Sequence, residues 1–268
     1  DPKTGLHAPA QEDDNAAYTQ TLHGAVTTYG ALDIAARAAR LLGKDAKAGS
    51  WESRATELRD AILEHLYDAE AGSFISTPVS EINPGSGPKG PTAWLIWPTH
   101  TLPWDDARLQ RQVELDVSSI QPVLDLEADG GSYYLKTTVS AALAWKDQPA
   151  RRPALLAMVD KIAGHATPDT QQFGEVMLVV EEDGVRRADQ RTSTPHLWEG
   201  TLFYLTSMAI SDPAALLRYE QVLPPSRVPP PSEAPPLPEL PDNAGPNGDA
   251  GAHGTADTAG ADTALGAD

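Results

Sequence analysis

Apolar residues recur at three- and four-residue intervals through most of the first 220 positions, the spacing of one face of an α-helix. Between residues 17 and 43 the stripe is Leu22, Val26, Tyr29 and Leu32 in an Ala-rich setting, and Gly43 supplies a C-terminal stop. Trp51, Ala55, Leu58, Ile62 and Leu66 predict a second helix, with Ser50 as its N-cap. Leu109, Val113, Val117 and Ile120 predict a third from Asp105 to Gln121, its leading aspartates suited to the positive end of the helix dipole. Further helices are predicted over 132–146, 154–163 and 195–210, the last on Trp198, Leu202, Leu205 and Met208. Residues 91–97 predict a short helix ended by Pro98. One segment differs. Val176–Val180 is apolar and partly β-branched, and Asp183-Gly184 is a type I′ turn signal, so 175–190 reads as a β-hairpin inserted between helices.

Short connections alternate with long ones rich in Gly, Pro and Trp: Ser73–Pro91, Asp125–Gly131 and His165–Thr194. That asymmetry predicts an all-α fold of helical hairpins in a ring or stack, with the long loops on one functional face. The pattern stops near residue 220. Residues 221–268 hold 10 of the 24 Pro and no aromatic residue, and such a chain buries too little apolar surface to offset its entropy. The expected organisation is therefore a folded domain over 1–220 and a disordered linker or tail over 221–268. Within that tail a Pro-rich spacer (Pro224–Pro241) precedes a Gly/Ala/Asp-rich coil (Gly245–Asp268).

Charge narrows the function. The net charge is −18, of which the tail carries −6 (seven acids against Arg227), leaving −12 for the first 220 residues. An acidic surface argues against nucleic acid and against a polybasic membrane-surface role. No apolar run approaches the ~20 residues of a membrane span. The absence of Cys removes disulfides, zinc–thiolate sites and thiol catalysis. No GxxxxGK[ST] or GxSxG occurs; Gly85–Gly90 reads GSGPKG, which has the GxGxxG spacing but sits in a Pro/Gly-rich loop with no strand predicted before it, and its Lys is misplaced for a phosphate loop. The seven His never form HxxxH, so neither metal nor cofactor is expected.

What remains is carboxyl groups beside aromatics. Sugar rings stack their apolar faces on Trp and Tyr and offer hydroxyls to polar side chains, and glycoside hydrolysis needs one protonated and one ionised carboxyl. Three segments have that make-up. Glu12 lies just before Tyr18 and the first helix, where it also reads as helix-end charge. Glu175 ends Gln171-Gln172-Phe173-Gly174-Glu175, where it also reads as a solvated strand-end acid. Thr194-Pro195-His196-Leu197-Trp198-Glu199 opens the last long helix with Pro in its first turn; there Glu199 reads as a first-turn acid favouring the dipole. Trp94, Trp97 and Trp104 surround a Pro/Gly-rich loop, either as a sugar platform or as core.

Five successive stretches resemble the C-terminal half of the catalytic domain of family 15 glycoside hydrolases, the glucoamylase-like (α/α)6 barrels. These are AYTQTLHGAVTTYGALDIAARAARLLG at 17–43, WESRATELRDAILEHLYDAEAGSF at 51–74, PTAWLIWPTHTLPWDDARLQRQV at 91–113, GGSYYLKTTVSAALAW at 130–145 and TPHLWEGTLFYLTSMAI at 194–210. The resemblance spans residues 12–212 and implies an (α/α)6 toroid of twelve helices. Only six or seven are legible here, so an incomplete barrel is expected, with the upstream helices outside this sequence and residue 1 not a natural start.

The implied chemistry is inverting hydrolysis of α-linked glucosides by two Glu without metal. Glu12 takes the place of the general acid. The family's base commonly stands as Glu-Gln/Glu-Phe, where this chain reads Gln171-Gln172-Phe173, so Glu175 is the expected base. Tyr18, Trp97, Tyr133, His196 and Trp198 are the expected sugar contacts. The expected partner is an oligo- or polysaccharide and the expected location extracellular or at the cell surface. Two other readings stay open: a non-catalytic carbohydrate-binding or regulatory relative of the same barrel, and a helical-repeat interaction scaffold.

Overall fold

The computed structural model describes residues 1–11, 18–77, 94–131, 134–191, 194–218 and 222–238. Two helices open it, α1 (Leu22–Leu41) and α2 (Asp45–His65), packed as a hairpin. Thr21 caps α1 by accepting from the Gly24 N–H at 2.9 Å, and Gly43 follows its end at φ +69°, a conformation that glycine adopts without strain. Leu22, Ala25, Val26, Tyr29 and Ala36 on α1 and Ala48, Ala55, Leu58 and Ile62 on α2 are buried, and small Ala side chains let packed helix backbones approach. Ser50 is not a cap. Helix α2 begins five residues earlier, because Gly43 ends α1 tightly and Asp45 already suits a first turn. Before α1, β1 (Ala10–Gln11) pairs with β2 (Tyr18–Thr19); after α2, β3 (Tyr67–Asp68) pairs with β4 (Ser73–Phe74). The predicted short helix at 91–97 is, in its described part, 3₁₀ at Trp94 and Leu95 and then turn.

Helix α3 (Ala107–Leu124) starts where Asp106 accepts from the Arg108 N–H, and it runs through Pro122, three residues past the predicted end. Helix α4 (Tyr134–Ala144) is buried almost all round, Lys136 being its one residue outside the buried set. It packs against α3, α5 (Arg152–Gly164) and α6 (Leu197–Ser211), and so sits at the centre of the described core. A one-turn helix α7 (Pro213–Leu216) follows. The described chain is mostly helical, and no described helix is long and apolar enough to cross a membrane.

The hairpin is present as β6 (Val176–Glu182) and β7 (Val185–Arg191), turning on Asp183 (φ +53°) and Gly184 (φ +76°). A third strand, β5 (Gly130–Gly131), pairs with β6, Gly130 opposite Leu178 and Gly131 opposite Met177. Gly130 has φ +143°, and a Cβ there would meet the Met177 carbonyl oxygen at 2.6 Å; only glycine fits. This pairing ties the entrance of α4 to the hairpin.

The segment 222–238 departs from the expected disordered tail. It lies along the folded body, which extends as one unit from Asp1 to Pro238 rather than ending at 220. Buried arginines hold it by its carbonyl groups. Arg37 Nε donates to Pro224 O at 2.7 Å, Arg59 Nη1 to Pro229 O, and Arg108 Nη2 to Ser232 O at 2.9 Å. Ser226 Oγ donates to Asp33, Val228 packs on the core, and Pro238 lies against Gly72. A proline-rich chain has few N–H groups to satisfy, so guanidinium donors aimed at its carbonyls suffice to dock it. Residues 239–268 lie outside the described residues.

Candidate functional site

The N-terminal ends of α4 and α6 meet one face of the core, and the loop entering β6 reaches the same place. His196 is the N-cap of α6, so Pro195 stands before the helix and not in its first turn. The His196 backbone N–H donates to Phe173 O at 2.8 Å, and the Phe173 ring packs on Phe203 of α6 at 5.1 Å. That clamp positions Glu175 two residues on.

Gln190 of β7 joins the remaining parts. Its Oε1 accepts from the Gly174 N–H at 3.0 Å and from the Tyr134 hydroxyl at 3.3 Å, and its Nε2 donates to His165 O at 2.9 Å. The register that sets Gln190 opposite Met177 therefore aligns α4, the end of α5 and the Phe173–Glu175 loop.

Glu199, in the first turn of α6, is the most unusual group here. It is 2 % exposed, and its Oε2 is buried without a hydrogen-bond partner. Burial pushes its pKa up to about 7; nearby Lys136 works against that and Glu175 adds to it. Lys136 of α4 is itself pulled below its usual range by burial, although both acids oppose the shift. Its Nζ sits 5.4 Å from the centre of the Trp198 ring. Trp198 is 45 % exposed and meets Trp94 edge to face at 5.5 Å, while Trp94 stacks on His23 of α1 at 6.0 Å. Trp94, Trp97, Pro98, Leu197, Trp198 and Leu205 line an adjoining pocket of about 520 Å³, in which Trp97 Nε1 is a buried donor without a partner.

Four of the expected residues thus come together or adjoin: Glu175, His196, Trp198 and Trp97. Tyr18 stands exposed on β2, in register with Gln11, and makes no hydrogen bond or ring contact with the cluster. Glu12 and Tyr133 lie outside the described residues. Gln171 turns back on its own loop, its Nε2 donating to Thr167 O and Pro168 O at 3.3 and 3.4 Å. Sequence reasoning passed over Glu199, Lys136 and Gln190 as site residues. The signal for Glu199 was present: Glu199, Leu202, Thr206 and Ala209 repeat at three, four and three residues and are the buried stripe of α6. That helix is apolar all round, so the rival stripe through Trp198, Leu205 and Met208 was equally legible.

Among the described residues no group of three or more His, Asp or Glu is arranged to hold a metal ion. What the site offers is a carboxyl that keeps its proton near neutrality, a second and exposed carboxyl, a partly buried cation and an exposed indole face. Those parts suit proton transfer beside a stacked ring. No protein-family model matches the chain, and no curated protein matches it.

Proposed function

We propose that the protein is a glucoamylase-like glycoside hydrolase that acts on α-linked glucosides with inversion. The observation that carries this reading is the pairing of a buried carboxyl, Glu199, with an exposed one, Glu175, around Lys136 and beneath the Trp198 face. A carboxyl that burial keeps protonated beside an exposed one marks a site suited to proton transfer, which hydrolysis of a glycosidic bond requires. The (α/α) ring belongs to the same proposal. His23 of α1, Lys136 of α4 and Trp198 of α6 all lie in first turns and meet through Trp94 or directly, as they would on the shared face of inner helices that run in one direction. A secreted or cell-surface location follows from the same reading.

In this reading Glu175 activates a water on the face opposite the leaving group. Its exposure gives that water access. The resemblance assigns the proton donor to Glu12. Trp198 and Trp97 bind the ring faces, and His196 binds a hydroxyl. Inversion needs room for the water, so acid and base are expected roughly 6.5–9.5 Å apart.

The test is hydrolysis of maltose, trehalose and dextran by the full chain, with the anomer of the released glucose read by NMR. The residue whose bond is cleaved is expected to leave as β-glucose (trehalose giving one β- and one α-glucose), and Glu175→Gln is expected to lower kcat by a factor of about 10² to 10⁴. Unchanged activity in Glu175→Gln would refute this base. The Gln171 side chain, occupied by its own turn where the family carries its base, favours a second reading: a carbohydrate-binding relative without turnover. Saturable sugar binding with no release of glucose would establish that reading instead. A pocketless helical scaffold is disfavoured by convergent carboxyls and an exposed Trp on one face.

A further inference from the structure

Two neighbouring side chains in the cluster each hold a buried polar atom without a hydrogen-bond partner. His196 Nδ1 stands 3.8 Å from Glu199 Oε1. Nδ1 and the second carboxyl oxygen, Oε2, are both shielded from water and make no hydrogen bond. A buried polar atom left without a partner costs about 1–3 kcal/mol, and folded proteins leave few of them. A ring rotation that closes the gap by roughly 1 Å brings nitrogen and carboxyl into hydrogen-bond range. The backbone at this N-cap is held by the His196 N–H donating to Phe173 O at 2.8 Å. The imidazole is the exposed member of the pair, with 30 % of its side-chain surface open, while the carboxyl has 2 %.

We propose that His196 and Glu199 form a carboxyl–imidazole dyad that holds one proton between Glu199 and Nδ1 and turns Nε2 of His196 toward a glucosyl hydroxyl. Glu199 is enclosed and acts through the ring, so it is a positioning residue; His196 is the substrate contact. Burial supports the arrangement by bringing the carboxyl to about 7, the range in which imidazole titrates. Every charged or titratable group facing Glu199 enters the balance. Lys136 from α4 favours the ionised carboxyl; Glu175, at the entrance of β6, favours the protonated one; the Tyr134 hydroxyl of α4, raised by burial, stays neutral. The dyad's role in turnover rests on the glycosidase reading, but its existence does not.

The decisive experiment is a pH titration of the full chain, from about pH 4 to pH 10, carrying ¹⁵N-histidine and carboxyl-labelled ¹³C-glutamate. The dyad predicts Nδ1 as the protonated ring nitrogen in the neutral range, and a step shared by the His196 and Glu199 signals. Glu199→Gln removes the anion that favours imidazolium, so the His196 midpoint falls by about one pH unit. His196→Gln removes the cation that favours carboxylate, so the Glu199 midpoint rises. Independent steps in the wild type, with midpoints that move by less than about 0.2 in both variants, overturn the dyad. Where Glu199→Gln fails to fold, the wild-type tautomer and the His196→Gln titration decide alone. With an α-glucoside that the wild type hydrolyses, His196→Gln is expected to raise KM about tenfold or more, and Glu199→Gln to shift the pH profile of kcat/KM. A wild type that hydrolyses no α-glucoside would defeat the glycosidase reading and leave the titration free to judge the dyad.

Discussion

At the residue scale, Glu199 links burial to acidity and acidity to stability. Its folded-state pKa, about 7, lies above the ordinary carboxylate range because desolvation outweighs the pull of Lys136. Below the unfolded value both states bind the proton and the group costs nothing. As pH rises toward 7 the unfolded chain ionises first, so stability falls across the window between the ordinary carboxylate range and about 7. The displacement corresponds to roughly 3 kcal/mol. Glu199→Gln keeps the shape and removes the ionisation. Urea unfolding is expected to find this variant more stable than the wild type at pH 8 by about 2–3 kcal/mol and close to it at pH 4. Equal stabilities at both pH values would show that the carboxyl is not held neutral.

At the element scale, the hairpin and the proline-rich segment show two ways of joining distant parts. The register of β6 with β7 puts Gln190 where it can hold Gly174, Tyr134 and the end of α5 together. Gln190→Ala leaves a buried N–H and a buried hydroxyl without their acceptor. It is expected to cost about 2–3 kcal/mol in thermal or urea unfolding, and to raise KM for any substrate bound beside Glu175. The segment 222–238 depends on Arg37, Arg59 and Arg108, more than 100 positions away in sequence. Arg59→Met preserves much of the volume but removes the donor to Pro229 O. The expected loss is about 2 kcal/mol, measured by urea unfolding; a loss below a few tenths would mean that the segment is held by packing alone.

Helix α6 shows why local pattern falls short. Its period was legible, but its phase was not, because apolar residues surround the axis. The buried face runs through Glu199, Leu202, Thr206 and Ala209, while Leu197 and Tyr204 are exposed. By contrast α3 has a two-sided pattern, and of its predicted stripe Leu109, Val113 and Ile120 are buried and Val117 partly so.

At the scale of the whole molecule, the unit of folding runs from Asp1 to Pro238. Truncation after residue 221 removes the carbonyl acceptors of three buried guanidinium groups, whereas truncation after 238 removes only a stretch whose composition buries little apolar surface. Calorimetry is expected to show the shorter chain melting at least about 5 °C lower, and the longer one within about 2 °C of the full chain. Equal melting of all three would return the boundary to residue 220.

The sequence by itself determined the six longer helices, their order, the Asp183-Gly184 hairpin and the concentration of carboxyls and aromatics in the long loops. Those follow from spacing, caps and turn residues, which act over a few positions. Only the tertiary structure decided which carboxyl is neutral, which face of α6 is buried and where the proline-rich segment goes. Each of these depends on what surrounds a group in space. Glu199 is buried, its charged neighbours Lys136 and Glu175 come from α4 and the loop entering β6, and the carbonyls of 222–238 find their donors on α1, α2 and α3. A local pattern carries no record of those neighbours.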